Sequence, residues 1–389
     1  MRKSWKVMIA AALACAATAS VAFAEDYDYE KKDYWYKEAG ALQSFSNYNT
    51  MEELFTALGA PDAGYDVNAY INSEAGKMMM DQCWQYVEWS DPMDEGLLDY
   101  WKNYEGGILK EMHHEGEEDF EWASYMPMSS YEEENADKKY PVMVVCRGGN
   151  DAKYTAECFG FVHYAAKTQE YMVVIPTDRE PDAVQRMLEE LKEDYPVDES
   201  RIYITGNSMG GLANLNNGWA NPETFAGIAP FGIGVQNYLS VAQTAKVAKL
   251  KMPVMYLYGT MDCYHSLPVS ECALKPLDEG VAELNALLTA EGCVFDEITE
   301  ESVLDLAANG KDVLTKTSGI QFPYTSEETY EDTTYYIGEY RTEDGCPLVK
   351  LVLADGGTHW HSPSYPEIIW NYFKQFSRNT ETGELVVQE

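Results

Sequence analysis

The segment Arg201-Ile-Tyr-Ile-Thr-Gly-Asn-Ser-Met-Gly-Gly211 restricts what this chain can fold into more than any other. Ile202, Tyr203, Ile204 and Thr205 are β-branched or aromatic, the composition of a short buried strand. Gly206 and Gly210 then flank Ser208 in a G-x-S-x-G pattern, which fits a strand turning sharply into a helix. Such a turn forces its apex residue into strained dihedrals, and the positions two before and two after it must lack side chains for neighbouring backbones to pass. The serine oxygen is then presented at the edge of a sheet. The pattern is short, so its weight depends on what surrounds it.

The surroundings alternate. Residues 140–145 form a continuous apolar run, as in a strand buried on both faces. A helix over 154–168, a strand over 171–175, a helix over 181–194, the Ser208 strand, a further helix and strands over 225–230 and 252–258 follow. Strands alternating with helices predict an α/β domain with a mostly parallel sheet covered on both faces. Pro181 suits a first helical turn, and Met187, Leu188 and Leu191 give that helix an apolar side. Ahead of these elements, residues 108–114 and 120–126 predict a hairpin. An amphipathic helix is expected over 277–293. The acidic, poorly periodic segment 294–334 reads as an insertion, with regular structure resuming at 335–341, 348–353 and a closing helix over 366–376.

A serine hydroxyl needs a base to take its proton, and the base needs a carboxylate to fix its tautomer and steady its charge. In a parallel sheet both belong on loops after later strands. Gly259-Thr-Met-Asp262 supplies Asp262 as the expected acid, in preference to Asp355, which suits a turn. Ala354-Asp-Gly-Gly-Thr-His359 supplies His359 as the expected base, in preference to His361. The chain order Ser, Asp, His is the one expected for this type of sheet. The oxyanion formed on a substrate carbonyl needs preorganised donors. One is expected from the Met209 amide at the start of the next helix, the other from Gly149 or Gly148 in Cys146-Arg-Gly-Gly-Asn150. Arg147, Asn207, His265, Trp360 and His361 complete the expected pocket. His113, His114 and His163 are read as structural.

Together, 140–149, 197–211, Gly259-Thr-Met-Asp262 and Gly356-Gly-Thr-His359 resemble the α/β-hydrolase fold and, more narrowly, secreted esterases of the polyhydroxybutyrate depolymerase and feruloyl esterase group. The resemblance spans about residues 107–378. It implies hydrolysis of carboxylic esters through an acyl-enzyme, without metal or organic cofactor, on a small-molecule or polysaccharide-linked ester. Two departures alter the pocket wall: Arg147 stands where the group usually has histidine, and Trp360-His361 replaces a tryptophan-proline end. A serine peptidase of prolyl-oligopeptidase-like type and a catalytically silent binding protein are the competing readings. The first would need an N-terminal propeller, and the region before Gly106 holds no such repeat.

Residues 1–24 carry Arg2, Lys3 and Lys6, then an apolar stretch and Ala22-Phe23-Ala24, the pattern of a secretory signal with its cleavage site. The expected location is outside the cytoplasm. Cys15 lies in a poor context for lipid attachment. Residues 25–104 are Tyr- and Trp-rich, with helical patterns over 51–58 and 75–87, and form an N-terminal region ahead of the catalytic domain at 105–378. The chain of 389 residues has a net charge of −37. Loss of three basic and no acidic residues with the signal takes it to −40. Such a surface repels polyanions and argues against nucleic acid and anionic membrane as partners. Seven cysteines remain after cleavage, with Cys263–Cys272 and Cys293–Cys346 as the candidate disulfides. No Cys-x-x-Cys spacing points to a structural zinc.

Overall fold

The computed structural model describes residues 108–115, 120–148, 159–235, 240–260, 262, 276–330, 333–357 and 364–388. The expected signal segment, Cys15, the N-terminal helices at 51–58 and 75–87, and Cys263 with Cys272 lie outside the described residues.

The chain enters through an antiparallel hairpin, β1 (Ile108–Glu115) and β2 (Phe120–Pro127), with Ile108 opposite Pro127. His113 stacks on Trp122, rings 3.7 Å apart, and its Nε2 lies 3.0 Å from Ser124 Oγ. That histidine has a packing role, as expected. Strand and helix then alternate: β3 (Tyr140–Cys146), α1 (Phe161–Thr168), β4 (Met172–Pro176), α2 (Pro181–Asp194), β5 (Val197–Asn207), α3 (Met209–Ala220), β6 (Gly227–Phe231), α4 (Val241–Leu250) and β7 (Val254–Gly259). Next come α5 (Leu277–Glu291), α6 (Glu300–Asn309), α7 (Val313–Ser318), β8 (Tyr324–Tyr330), β9 (Thr333–Arg341), β10 (Pro347–Ala354) and α8 (Tyr365–Phe373). A small pair, β11 (Phe376–Arg378) and β12 (Leu385–Val387), ends the described chain.

Ten strands form one sheet in the order β1-β2-β4-β3-β5-β6-β7-β10-β9-β8. The run from β4 to β10 is parallel throughout, and antiparallel pairs are confined to the two flanks. β3, β4, β6 and β7 are buried along their whole length, which explains their unalternating apolar sequences. From β3 the chain moves outward to β4 and then crosses back to β5 on the other side of β3. The strand order therefore reverses there, and the carboxyl ends of β3 and β5 are where open α/β sheets bind their ligands.

Helix α2 keeps the expected bounds. Pro181 sits in its first turn, and Ala183, Val184, Met187, Leu188 and Leu191 are buried. Full burial of each large apolar side chain is worth about 1.5–3 kcal/mol. On the sheet, Phe373 of α8 stacks on Tyr203 of β5 with ring centroids 4.8 Å apart.

Among the described residues helix α1 begins at Phe161, after the left-handed Gly160 with φ 76°, and the expected start near 154 lies outside the described residues. Three expectations need correction. β5 starts at Val197, which pairs with Tyr140 of β3 ahead of a bulge that ends at Ile202 opposite Val142. Residues 294–334 carry regular structure well before 335, in α6, α7 and β8. Finally, Cys293 and Cys346 are free thiols, as is Cys146. Cys293 pairs with Thr342 from one side, while the Thr342 amide bonds the Cys346 carbonyl on the other at 3.0 Å.

Candidate active site

The site starts from backbone strain. Ser208 has φ 55° and ψ −116°, outside the regions open to a residue with a side chain at low cost. Holding it there costs on the order of 1–3 kcal/mol. The surrounding bonds fix it. Its amide donates to the Phe231 carbonyl at 2.9 Å, and its own carbonyl accepts from Leu212 at 3.0 Å, which locks the strand-to-helix turn between β6 and α3. A Cβ on either Gly206 or Gly210 would overlap the Cys146 carbonyl oxygen, so the turn is pressed against the end of β3. Both flanking glycines are therefore steric requirements, as the sequence pattern implied.

Ser208 is 3% exposed and Met209 6%, so the apex is buried. Met209 is the first residue of α3, whose leading amides have no partner within the helix. They carry the positive end of the helix dipole. Asn207 is buried just before the apex.

The loop after β3 faces this turn. The Arg147 side chain is partly buried, and its Nε donates to the Thr177 carbonyl at 3.1 Å. Gly148 is buried. Arg179, on the loop after β4, donates from Nη1 to the carbonyls of Arg147 at 2.8 Å and Gly148 at 2.7 Å. Its Nη2 lies 3.9 Å from Met209 Sδ. Burial lowers the Arg179 pKa and the Arg147 guanidinium adds to that, while Cys146, Glu180 and Asp178 oppose it. The buried Cys146 thiol is pushed up to about 12 by desolvation despite the two arginines. It is consequently a neutral packing group, not a competing nucleophile.

Asp262 follows β7 and is 3% exposed. Its amide donates to the Gly259 carbonyl at 3.0 Å, forming a tight turn at the strand end. Thr260 ties that turn to the neighbouring loop: its amide donates to the Ala354 carbonyl, and its Oγ1 accepts from the Gly356 amide, both at 2.9 Å. A Cβ on Gly259 would overlap the Gly357 backbone, so the loops after β7 and β10 are in direct contact. The Asp262 charge also helps raise the Tyr258 and Tyr365 hydroxyls, after the larger effect of their burial.

Because β3, β5, β7 and β10 are parallel, Gly148, Ser208, Asp262 and the Gly356–Gly357 turn all fall on one edge of the sheet. His359 is two residues beyond Gly357, and it lies outside the described residues, as do Gly149, His265, Trp360 and His361. Two contributors were not singled out by sequence. Arg179 sits in Thr177-Asp-Arg-Glu180, whose only signal is a polar run ending a buried parallel strand on the site's edge. Thr260 lies inside the Gly259–Asp262 motif and acts through bonds that a motif does not display.

No protein-family model matches the chain, and no curated protein matches it. Among solved structures, a thermostable esterase is similar at 21% identity over 47% of this chain, with TM-score 0.34; this chain spans about half of that one, 51%. An acetyl xylan esterase from Aspergillus awamori shares 11% identity over 68% of this chain and 98% of its own, with TM-score 0.43. A mutant feruloyl esterase module from Clostridium thermocellum, complexed with sinapinate, shares 14% identity over 69% and 87%, with TM-score 0.40. The strand order and the strained serine elbow, rather than these likenesses, identify the fold: a parallel sheet reversing at β3, with Ser208 at the apex between its central strand and α3, is an α/β-hydrolase fold.

Proposed function

We propose that this chain is a serine hydrolase of carboxylic esters, acting through an acyl-enzyme. One observation carries the reading: a buried serine held at φ 55° between β5 and the amino end of α3, with a glycine loop pressed against it. Strain of this kind persists where the surroundings enforce it, and at a strand-to-helix apex it exposes Oγ to a substrate.

In the proposed reaction, Ser208 Oγ attacks the ester carbonyl carbon while His359 takes its proton and Asp262 steadies the resulting imidazolium. The oxyanion is held by the Met209 amide and by an amide of the loop after β3, from Gly148 or Gly149. The tetrahedral adduct collapses, the C–O bond breaks, and His359 returns the proton to the departing alcohol. Water then attacks the acyl-enzyme by the same route and releases the acid. Every step uses groups of the chain itself. The substrates are carboxylic esters, including acyl groups on polysaccharides or polyesters, and the leader-like residues 1–24 support export from the cytoplasm. Neither nucleic acid nor an anionic membrane suits a chain of net charge −37.

Replacement of Ser208 by alanine tests the assignment. Ser208→Ala should lower kcat/KM for p-nitrophenyl acetate by roughly 10³-fold or more and abolish labelling by a fluorophosphonate probe. Hydrolysis by the folded variant at the parent rate would sink the reading.

A further inference from the structure

We propose that Arg179 is a positioning residue of the oxyanion hole: its guanidinium clamps the peptide carbonyls of the loop after β3 and thereby aims that loop's amides at the reacting carbonyl. This inference rests on the ester-hydrolysis reading above and adds a residue that none of the motifs contains.

The clamp is explicit. Nη1 of Arg179 bonds two successive carbonyls, those of Arg147 and Gly148, at 2.8 and 2.7 Å. A peptide group is planar and trans, so a C=O turned one way directs the N–H of the same peptide the opposite way. Fixing the Arg147 carbonyl therefore fixes the direction of the Gly148 amide. Glycine needs such a lock more than other residues do. With no Cβ, its backbone crosses between conformations that a side chain would forbid, and a flipped peptide would present a carbonyl where a donor is required. Two adjacent carbonyls directed at one point also repel each other, and a shared cationic donor removes that repulsion.

The strut is itself braced. The Arg179 carbonyl accepts from Nδ2 of Asn217 on α3 at 2.9 Å, and Asn217 is buried. The same guanidinium reaches Met209 Sδ at 3.9 Å, so one side chain touches both the loop after β3 and the first residue of α3. The same Arg147 carbonyl oxygen would lie within 2.7 Å of a Cβ at Gly210. The loop is thus packed against α3 and bonded by Arg179 at that carbonyl. Lysine could supply the charge but not the planar fork, which fixes donor direction as well as position.

A positioning role makes a kinetic signature that a purely structural one does not. The clamp acts on charge that develops in the transition state, so its loss should appear in kcat and spare KM. Arg179→Met should lower kcat for p-nitrophenyl acetate by about 10²-fold, with KM within about threefold. Affinity for an aryl trifluoromethyl ketone, which forms a tetrahedral adduct on serine, should fall by the same factor as kcat/KM. Arg179→Lys should recover part of the loss, and added guanidinium ion should partly rescue Arg179→Met. Parent-like kcat in folded Arg179→Met, or a rise in KM alone, would overturn the proposal. If Arg179→Met does not fold, Arg179→Lys decides: reduced kcat at unchanged KM supports the clamp, and parent kcat overturns it. A parent that neither hydrolyses esters nor takes a fluorophosphonate label removes the esterase reading and this proposal together. An active, labelled parent beside a kcat-neutral Arg179 variant removes the clamp alone.

Discussion

At the scale of residues, what the sequence displays is side-chain chemistry, and what it conceals is backbone geometry. Ser208, Gly206 and Gly210 were legible because their spacing has a steric cause, and the structure supplies that cause in the Cys146 carbonyl oxygen. Gly210→Ala should therefore force β3 and α3 apart. A loss of about 1–3 kcal/mol in urea denaturation is expected, together with a lowered kcat, because the loop facing Ser208 starts directly after that carbonyl. Gly211→Ala provides the comparison. Its Cβ would meet the Gly206 carbonyl at 3.2 Å and Ile233 at 3.3 Å, a tight but adjustable fit, so the smaller loss should occur there. Equal losses at the two positions would contradict the contact as the cause. Arg179 was not legible for the complementary reason. Its partners are carbonyls of residues 147 and 148, and a backbone acceptor leaves no mark on residue identity.

At the scale of elements, legibility followed burial. Helix α2 was bounded correctly because proline marks its start and its buried residues recur on one face. β8 had no such signal: six of its seven residues are exposed and the seventh is half-buried, so neither face imposes alternation. Helix α6 buries only Val303 and is defined by a reciprocal cap between Thr299 and Ser302, a local device easily lost in an acidic run. The start of β5 at Val197 carries no apolar signal, because the polar Asp198–Arg201 bulges between the Val197–Tyr140 and Ile202–Val142 pairs. Strand β8 also carries a hazard. Among the described residues it pairs only with β9, so its other side is a row of backbone groups on which a further strand could add. Glu327 and Glu328 oppose such addition by bringing charge to that edge. Replacing both with valine should raise strand propensity and remove the repulsion. The double variant should elute earlier than the parent in size-exclusion chromatography, increasingly so at higher concentration. Identical elution over the same concentration range would show that the glutamates do not guard this edge.

At the scale of the molecule, the two edges of the parallel sheet carry different burdens. The carboxyl edge holds the strained Ser208, the buried Asp262 and the glycine loop. The amino edge holds a stabilising cluster centred on Arg378, which is 2% exposed. Its guanidinium donates to the carbonyls of Phe225, Leu250, Gly383 and Lys251 at 2.8, 2.7, 3.1 and 2.6 Å, joining the entries to β6 and β7 with the C-terminal tail. Burial lowers its pKa to about 10, so it remains charged at neutral pH. Beside it, the fully buried Glu291 accepts from the Met252 amide at 3.0 and 3.1 Å. Desolvation pushes Glu291 up to about 8, against the Met252 bond and the charges of Lys251 and Arg378, which favour ionisation. An unfolded glutamate releases its proton near 4.5. Between those values the folded chain binds more protons than the unfolded one, so the contribution of Glu291 is full below about pH 4.5 and is lost as pH rises through about 8. Glu291→Gln keeps a neutral group of the same shape and cannot ionise. In urea denaturation it should match the parent near pH 5 and exceed it near pH 9 by an amount on the order of a few kcal/mol. Because the cluster lies at the edge opposite Ser208, kcat at pH 7 should be unchanged. A stability difference between the two proteins that is the same at both pH values would show that Glu291 ionises in the folded chain as it does in the unfolded one.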